Sequence, residues 1–276
     1  MLDILFRMSD IKLFTLLSCS FILFSIISVT ALHRLVPHEV RQKENAVIGT
    51  VSCIISLIYG VLAGLIAFNM IDTTNTTSNA VQREANAAAN IYRDSNWLNT
   101  PIRAIIQTNI KQYLNHVIND EWPLMADGKI PNHVGNAIID NISDQLINYH
   151  VNKPVEPAVI SDLLNENKEL YNAREFRIHA STIDLGPEIW LVIFIGSILT
   201  IGINFLFGMN YYLHLLSTTA TALMVSSMLF LLITSYKPFQ GEFVVQPDSL
   251  QLVLQYIESH EGSPIIKPSQ ATPPIK

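Results

Sequence analysis

The sequence predicts an all-α membrane protein in which four transmembrane helices carry a helical domain inserted between the second and the third. Three observations lead there. Only 14% of the residues are charged and 49% are hydrophobic, where an ordinary soluble chain carries about 25% charged residues. Four apolar stretches, residues 13–32, 46–70, 189–209 and 213–236, run without Asp, Glu, Lys or Arg, and each can cross a hydrocarbon core of roughly 30 Å at about 1.5 Å per residue. The interval 72–188 is polar and repeats its apolar residues at three- and four-residue steps, the period of amphipathic helices.

Each apolar stretch must be a helix, because backbone polar groups in lipid have no water to bond and a single segment satisfies them only by helical pairing. Arg7 and Lys12 precede the first span and Val29-Thr30-Ala31 resembles a signal-peptide cleavage site. Its apolar run, however, exceeds the roughly 7–15 residues of a signal peptide, so residues 1–71 are read as a retained pair of spans. Residues 189–236 form a second pair, a hairpin turning at Asn210-Tyr211-Tyr212. Trp190, Tyr211, Tyr212 and Tyr236 stand at the ends of these spans, where amphipathic rings favour the interface between lipid and water.

An even number of crossings places both termini and the inserted domain on one side. The loop between the first two spans carries Arg34, Arg41 and Lys43, while Arg7, Lys12, Arg83, Arg174, Arg177 and Lys237 flank the membrane on the other side. The positive-inside bias therefore puts the domain and the termini in the cytoplasm.

Within residues 72–188, Ile102, Ile105, Ile106, Ile110, Tyr113, Leu114, Val117 and Ile118 build one apolar face behind Pro101, which suits a first helical turn. Val134, Ile138, Ile142 and Leu146 mark a second helix, and Val159, Ile160, Leu163, Leu164 and Leu170 a third. The alanine-rich residues 72–96 continue the second span into water. Pro238-Phe239-Gln240-Gly241 breaks the chain after the last span. In segment 237–261, Asp248 or Ser249 caps a short helix bearing Leu250, Val253, Tyr256 and Ile257. The proline-bearing tail, residues 262–276, is expected to be disordered.

Charge and cysteine content exclude several functions. Residues 72–188 hold nine Lys/Arg and fifteen Asp/Glu, so the inserted domain is acidic and nucleic acid, which is bound through basic side chains, is not a partner. Two cysteines, Cys19 and Cys53, and eight scattered histidines provide no disulfide framework and no ligand pair on one helix face, so neither a metal nor a cofactor is expected. Asn75 and Asn141 fit the N-glycosylation pattern, but a cytoplasmic domain never meets that machinery. The span interiors lack Asp, Glu, Lys, Arg and His apart from His214 at the end of the fourth, which counts against a proton-driven pump or an intramembrane protease. No triad, phosphate loop or metal cluster supports an enzyme.

Candidate functional residues lie in two groups. Gly49, Cys53, Ser56, Gly60 and Gly64 advance by three or four residues along the second span, giving a small-residue face that includes a GxxxG match. Such a face admits close approach of a helix within the subunit, a neighbouring subunit or a pore. In the inserted domain Glu121-Trp122-Pro123 joins an acid, an aromatic ring and a rigid residue. Proline disfavours helix in the residue before it, so Trp122 is expected to be extended at a helix break.

The segments resemble the bestrophin-like family of bacterial membrane proteins of unknown function, through Tyr59–Phe68 and Ala80–Ala85, which includes Glu84. Glu121-Trp122-Pro123, Arg174 and Arg177 before Pro187 and Trp190, and Pro238-Phe239-Gln240-Gly241 match further family features. Tyr236-Lys237 stands where the family carries an acidic residue before Pro238. The resemblance covers roughly residues 47–257 and implies the plan of the bestrophin ion channels, homopentamers whose second transmembrane helix lines a pore with a narrow apolar neck. The expected function is therefore an oligomeric ion channel in a lipid bilayer that passes inorganic ions, with a weak cation preference set by the acidic domain. The alternative is a non-conducting scaffold or sensor whose acidic domain binds a protein partner.

Overall fold

The structure, a computed structural model, describes residues 9–35, 42–150, 156–183, 185–241 and 244–260. The tail, Arg7 and Arg41, all used in the reading above, lie outside them. Among the described residues the regular elements are all helical. They are α1 Asp10–Leu35, α2 Asn45–Asp94, α3 Thr100–His116, α4 Trp122–Ala126, α5 Val134–Ile147, α6 Glu156–Thr182, α7 Pro187–Gly202, α8 Tyr211–Ser235 and α9 Asp248–His260. Helices α1, α2 and α8, and α7 with the 3-10 turn Ile203–Leu206 that extends it, are each long and apolar enough to cross a membrane. Helix α2 alone has 50 residues, about 75 Å at 1.5 Å per residue, so its polar half reaches beyond any hydrocarbon core.

The chain divides into two compact units. One comprises the described parts of residues 1–79, 124–130 and 176–246. All four apolar helices contribute to its core, as Leu13 from α1, Ala67 and Met70 from α2, Trp190 and Ile193 from α7, and Leu229 and Leu232 from α8. Outward faces stay apolar: Ile198 and Leu216 are each 69% exposed and Met224 is 72% exposed. So large a contiguous apolar surface is untenable in water and suits hydrocarbon.

Helices α1 and α8 are joined by a ladder of polar side chains. Ser18 Oγ lies 3.4 Å from Ser226 Oγ, Ser25 Oγ 3.3 Å from Thr219 Oγ1, and Thr30 Oγ1 3.2 Å from the Tyr211 hydroxyl. The first two rungs are seven residues apart on both helices, about two helical turns, which returns each side chain to the same face of an antiparallel pair. Several other hydroxyls bond backward along their own helix, as Thr221 does to the Ser217 carbonyl at 3.0 Å, the usual way a helix tolerates them. A double-mutant cycle over Ser25→Ala and Thr219→Ala is expected to give a coupling of about 0.6 kcal/mol, the usual worth of one such bond in a bilayer protein, measured by unfolding in detergent.

The α7–α8 hairpin turns earlier than its sequence suggests. Tyr211 and Tyr212 belong to the first turn of α8, Asn210 precedes it with extended backbone (φ −56°, ψ 147°), and the connection is residues 207–210. The 3-10 turn ends the third span before Phe207, and Asn204 within that turn donates to the Thr200 carbonyl at 2.8 Å. Beyond α8, the Pro238 carbonyl accepts the Val245 N–H at 2.8 Å, Phe239 is buried, and Gly241 takes φ +116°, a conformation open to glycine.

The second unit comprises the described parts of residues 80–123, 131–175 and 247–276. Its core is built by Ile106, Ile110 and Tyr113 of α3, Ile139 and Ile142 of α5, Leu163 and Leu170 of α6, and Leu250 and Ile257 of α9. Ala80, Ala87 and Ala88 of α2 are also buried and let helices approach closely. Ile105 and Val134, expected on the apolar faces, are 42% and 44% exposed; each stands at the margin of its stripe, one residue before a position that turns inward.

Candidate functional site

The apolar part of α2 packs along one side only. Ala63, Ala67 and Met70 are buried. Tyr59 donates to or accepts from Ser197 at 2.9 Å, and its ring lies against Gly196, with Cε2 3.0 Å from where a Cβ would stand. The first turn is held more firmly: Asn45 Nδ2 donates to the Gly208 carbonyl at 2.9 Å and its Oδ1 accepts the Gly208 N–H at 2.8 Å. One asparagine thus satisfies both polar groups of a connection residue.

The small-residue face of α2 is divided. Gly49 faces Phe207 at 3.9 Å and Ser56 is half-buried. Cys53, Gly60 and Gly64 are exposed, and a Cβ on Gly60 or Gly64 would meet nothing within 4 Å. Packing within the subunit therefore does not account for those three. The rest of the open arc, including Leu57, Val61, Leu65 and Phe68, is apolar and exposed.

In the second unit, the residues Glu121 and Arg174 meet as a buried ion pair, each with 1% of its side chain exposed. Arg174 Nη2 donates to Glu121 Oε1 at 2.5 Å and Nε to the same oxygen at 3.2 Å. The guanidinium also donates to the Asn132 carbonyl at 3.0 Å, to Asn136 Oδ1 and to Glu175 at 3.4 Å. Gly135 makes room for this cluster: a Cβ there would stand 2.7 Å from Glu121 Oε1 and 2.8 Å from Arg174 Cζ. His116 lies beside it, Nε2 3.6 Å from Glu121 and Nδ1 2.7 Å from Asp120.

A π-helical turn, Val117–Glu121, carries Glu121 into the cluster. Trp122 is not extended: its backbone is helical (φ −60°, ψ −49°) and its N–H donates to the Val117 carbonyl, five residues back. The widened turn shifts the carbonyls that a proline ring would otherwise strike, so helix passes through Trp122 into Pro123 against the preference of an ordinary turn. Glu84 accepts the Tyr113 hydroxyl at 2.6 Å. In the first unit, Arg177 is buried and its Nη1 lies 3.4 Å from Met125 Sδ, Pro187 opens α7, and the Gln240 amide lies where a Cβ on Gly128, at φ +72°, would stand. Among the described residues no three His, Cys, Asp or Glu side chains gather as a metal site.

Four apolar helices with a helical unit inserted between the second and third define a polytopic all-α membrane protein. The chain matches the Bestrophin-like domain over residues 19–250 and belongs to that family. Its fold is that of solved bacterial relatives. It is similar to a crystal structure of a bacterial bestrophin homologue from Klebsiella pneumoniae, with 10% identity, TM-score 0.65, and 90% of this chain and 98% of that one covered. A single-substitution variant of such a homologue gives 11% identity and TM-score 0.64, with 92% and 100% covered. A crystal structure described as a membrane protein gives 9% and 0.64, with 89% and 99% covered. No curated protein sequence matches the chain.

Proposed function

We propose that the protein is an oligomeric ion channel whose path is lined by α2. The observation that carries this reading is the openness of α2: 11% of its most apolar window is buried within the chain, against 22%, 33% and 39% for the other three spans. The open arc bears no charge, only apolar and small side chains, which suits an apolar constriction and a close subunit contact. Membership of the Bestrophin-like family supports the same assignment, with a pentamer as the expected complex. The inserted domain and both termini are assigned to the cytoplasmic side of a bacterial inner membrane on the distribution of Lys and Arg.

The acidic domain points to cation preference. Glu84, Glu121, Glu156, Arg174 and Arg177 are buried and contribute little field outside; the other twelve acidic and seven basic residues of 72–188 leave a net charge of −5 per subunit. Repeated around a ring, that charge concentrates cations at the cytoplasmic mouth. Purified protein in liposomes is expected to carry current, with a reversal potential displaced toward the cation equilibrium value under a salt gradient. A displacement toward the chloride value would show basic side chains along the path, and silence across voltage, pH and calcium would favour a scaffold or sensor.

A further inference from the structure

Between α1 and α7 the first unit holds a cavity of about 340 Å³. Phe21 and Phe24 of α1 line one side, Phe194, Ile198 and Gly202 of α7 the other, and the buried Leu229 of α8 adds to the wall. The lining runs from Phe194 to Phe205 in the 3-10 turn, roughly 16 Å along the span at the helical rise. At the Phe205 end, Phe24 meets that ring edge-on with centroids 6.3 Å apart. Every lining residue belongs to a helix long and apolar enough to cross a membrane, so the cavity is an elongated slot at the depth of the hydrocarbon.

Water has little to hold it there. An ordered water needs about two to four polar partners, and among the lining side chains Ser20 and Ser197 alone are polar. Ser197 already donates to the Ile193 carbonyl at 2.7 Å and lies 2.9 Å from the Tyr59 hydroxyl of α2. An apolar cavity less than half this size, about 150 Å³, stays dry and takes up benzene. Left empty, the slot would deprive its lining of dispersion contacts on one side. The chemistry of the lining therefore selects an apolar occupant.

We propose that the slot is a binding site for one hydrocarbon chain of a membrane phospholipid. Its mouth is continuous with the lipid-facing surface, since Phe24, Phe194 and Ile198 on the rim are exposed. A volume of about 340 Å³ spread over that length leaves a cross-section of roughly 20 Å², the girth of one extended chain. A neighbouring helix, about 10 Å across, needs roughly four times as much. Acyl chains in a bilayer already run along the spans, so one enters sideways and lies in the slot without folding back. It completes the packing of α1 on α7, and through Ser197 and Tyr59 the site stands one side chain away from α2.

The test uses the full chain in nanodiscs of phosphatidylethanolamine and phosphatidylglycerol, doped with a phospholipid that carries a diazirine on one acyl chain, with the adducts mapped by mass spectrometry. Ile201 and Leu229 line the slot but are buried, so lipid reaches them only from inside it. They should be labelled, while Ile193 and Val225, equally buried but outside the lining, should not. Gly202→Phe puts a ring into the slot, where a Cβ meets nothing within 4 Å, and should abolish labelling of Ile201 and Leu229 while leaving that of the outward-facing Leu216 unchanged. Ser20→Leu fills the slot from α1 and should act alike, so that misfolding of one variant leaves the other to decide. Added phospholipid should raise the unfolding midpoint of the detergent-solubilised wild type, as a ligand of the folded state does, and raise that of Gly202→Phe less. Labelling of Ile201 and Leu229 no greater than that of Val225, or undiminished in both variants, overturns the proposal. Labelling that appears only after the complex is dissociated into monomers overturns it too, because side chains of a second copy would then fill the slot.

Discussion

Arg174→Met is expected to lower the unfolding free energy of the protein by about 3–5 kcal/mol, the cost of removing one partner from a buried ion pair. Glu121 would keep its place with 1% of its side chain exposed but lose the guanidinium that donates to it twice. A buried carboxylate deprived of its cation favours the neutral form. The deficit of Arg174→Met should therefore be largest at neutral pH and shrink as the pH falls. Adding Glu121→Met should recover part of the loss, because the pair goes with its charge; recovery is incomplete, since the Asn132 carbonyl and Asn136 also lose their donor. Denaturant unfolding of the full chain in detergent at two pH values measures all three variants. Equal deficits in the single and double variants would show that Arg174 acts through its bonds to Asn132 and Asn136 rather than through charge.

The four spans were legible because lipid imposes a length and a composition that few other environments demand. The paired Glu121 and Arg174 were not, since 53 residues separate them and spacing says nothing about which charges are buried. Gly135 carried no pattern of its own; its reason is the space it leaves for two side chains from elsewhere. The proline rule misread Trp122 because a π-helical turn relieves the clash on which the rule rests, and no residue of Val117–Glu121 announces that turn. A signal for the α1–α8 ladder was present and unused: Ser18 and Ser25 on one span and Thr219 and Ser226 on another share a seven-residue spacing. Periodicity grouped Gly60 with Gly64 on one face, but it cannot name what covers that face, and among the described residues of the chain nothing does.

Gly60→Leu combined with Gly64→Leu separates subunit folding from assembly, because the two effects have opposite signs. Within the chain the change is favourable: a Cβ at either position meets nothing within 4 Å, and replacing a glycine in a helix interior gains up to about 1 kcal/mol. At a close helix contact between subunits the same leucines fill the space that the partner backbone occupies, and small-residue contacts in bilayers depend on that approach. Native mass spectrometry is therefore expected to show the wild-type complex giving way to monomers, with no fall in the unfolding midpoint of the monomer. Current in liposomes should be lost with the complex. If the double variant still assembles and conducts as the wild type does, Gly60 and Gly64 face lipid, and the path must lie along the other open side of α2. Leu65→Asn would then decide, since an amide placed in an apolar constriction lowers the barrier to ions and raises the current, whereas the same amide turned toward lipid lowers the yield of folded protein without changing conduction.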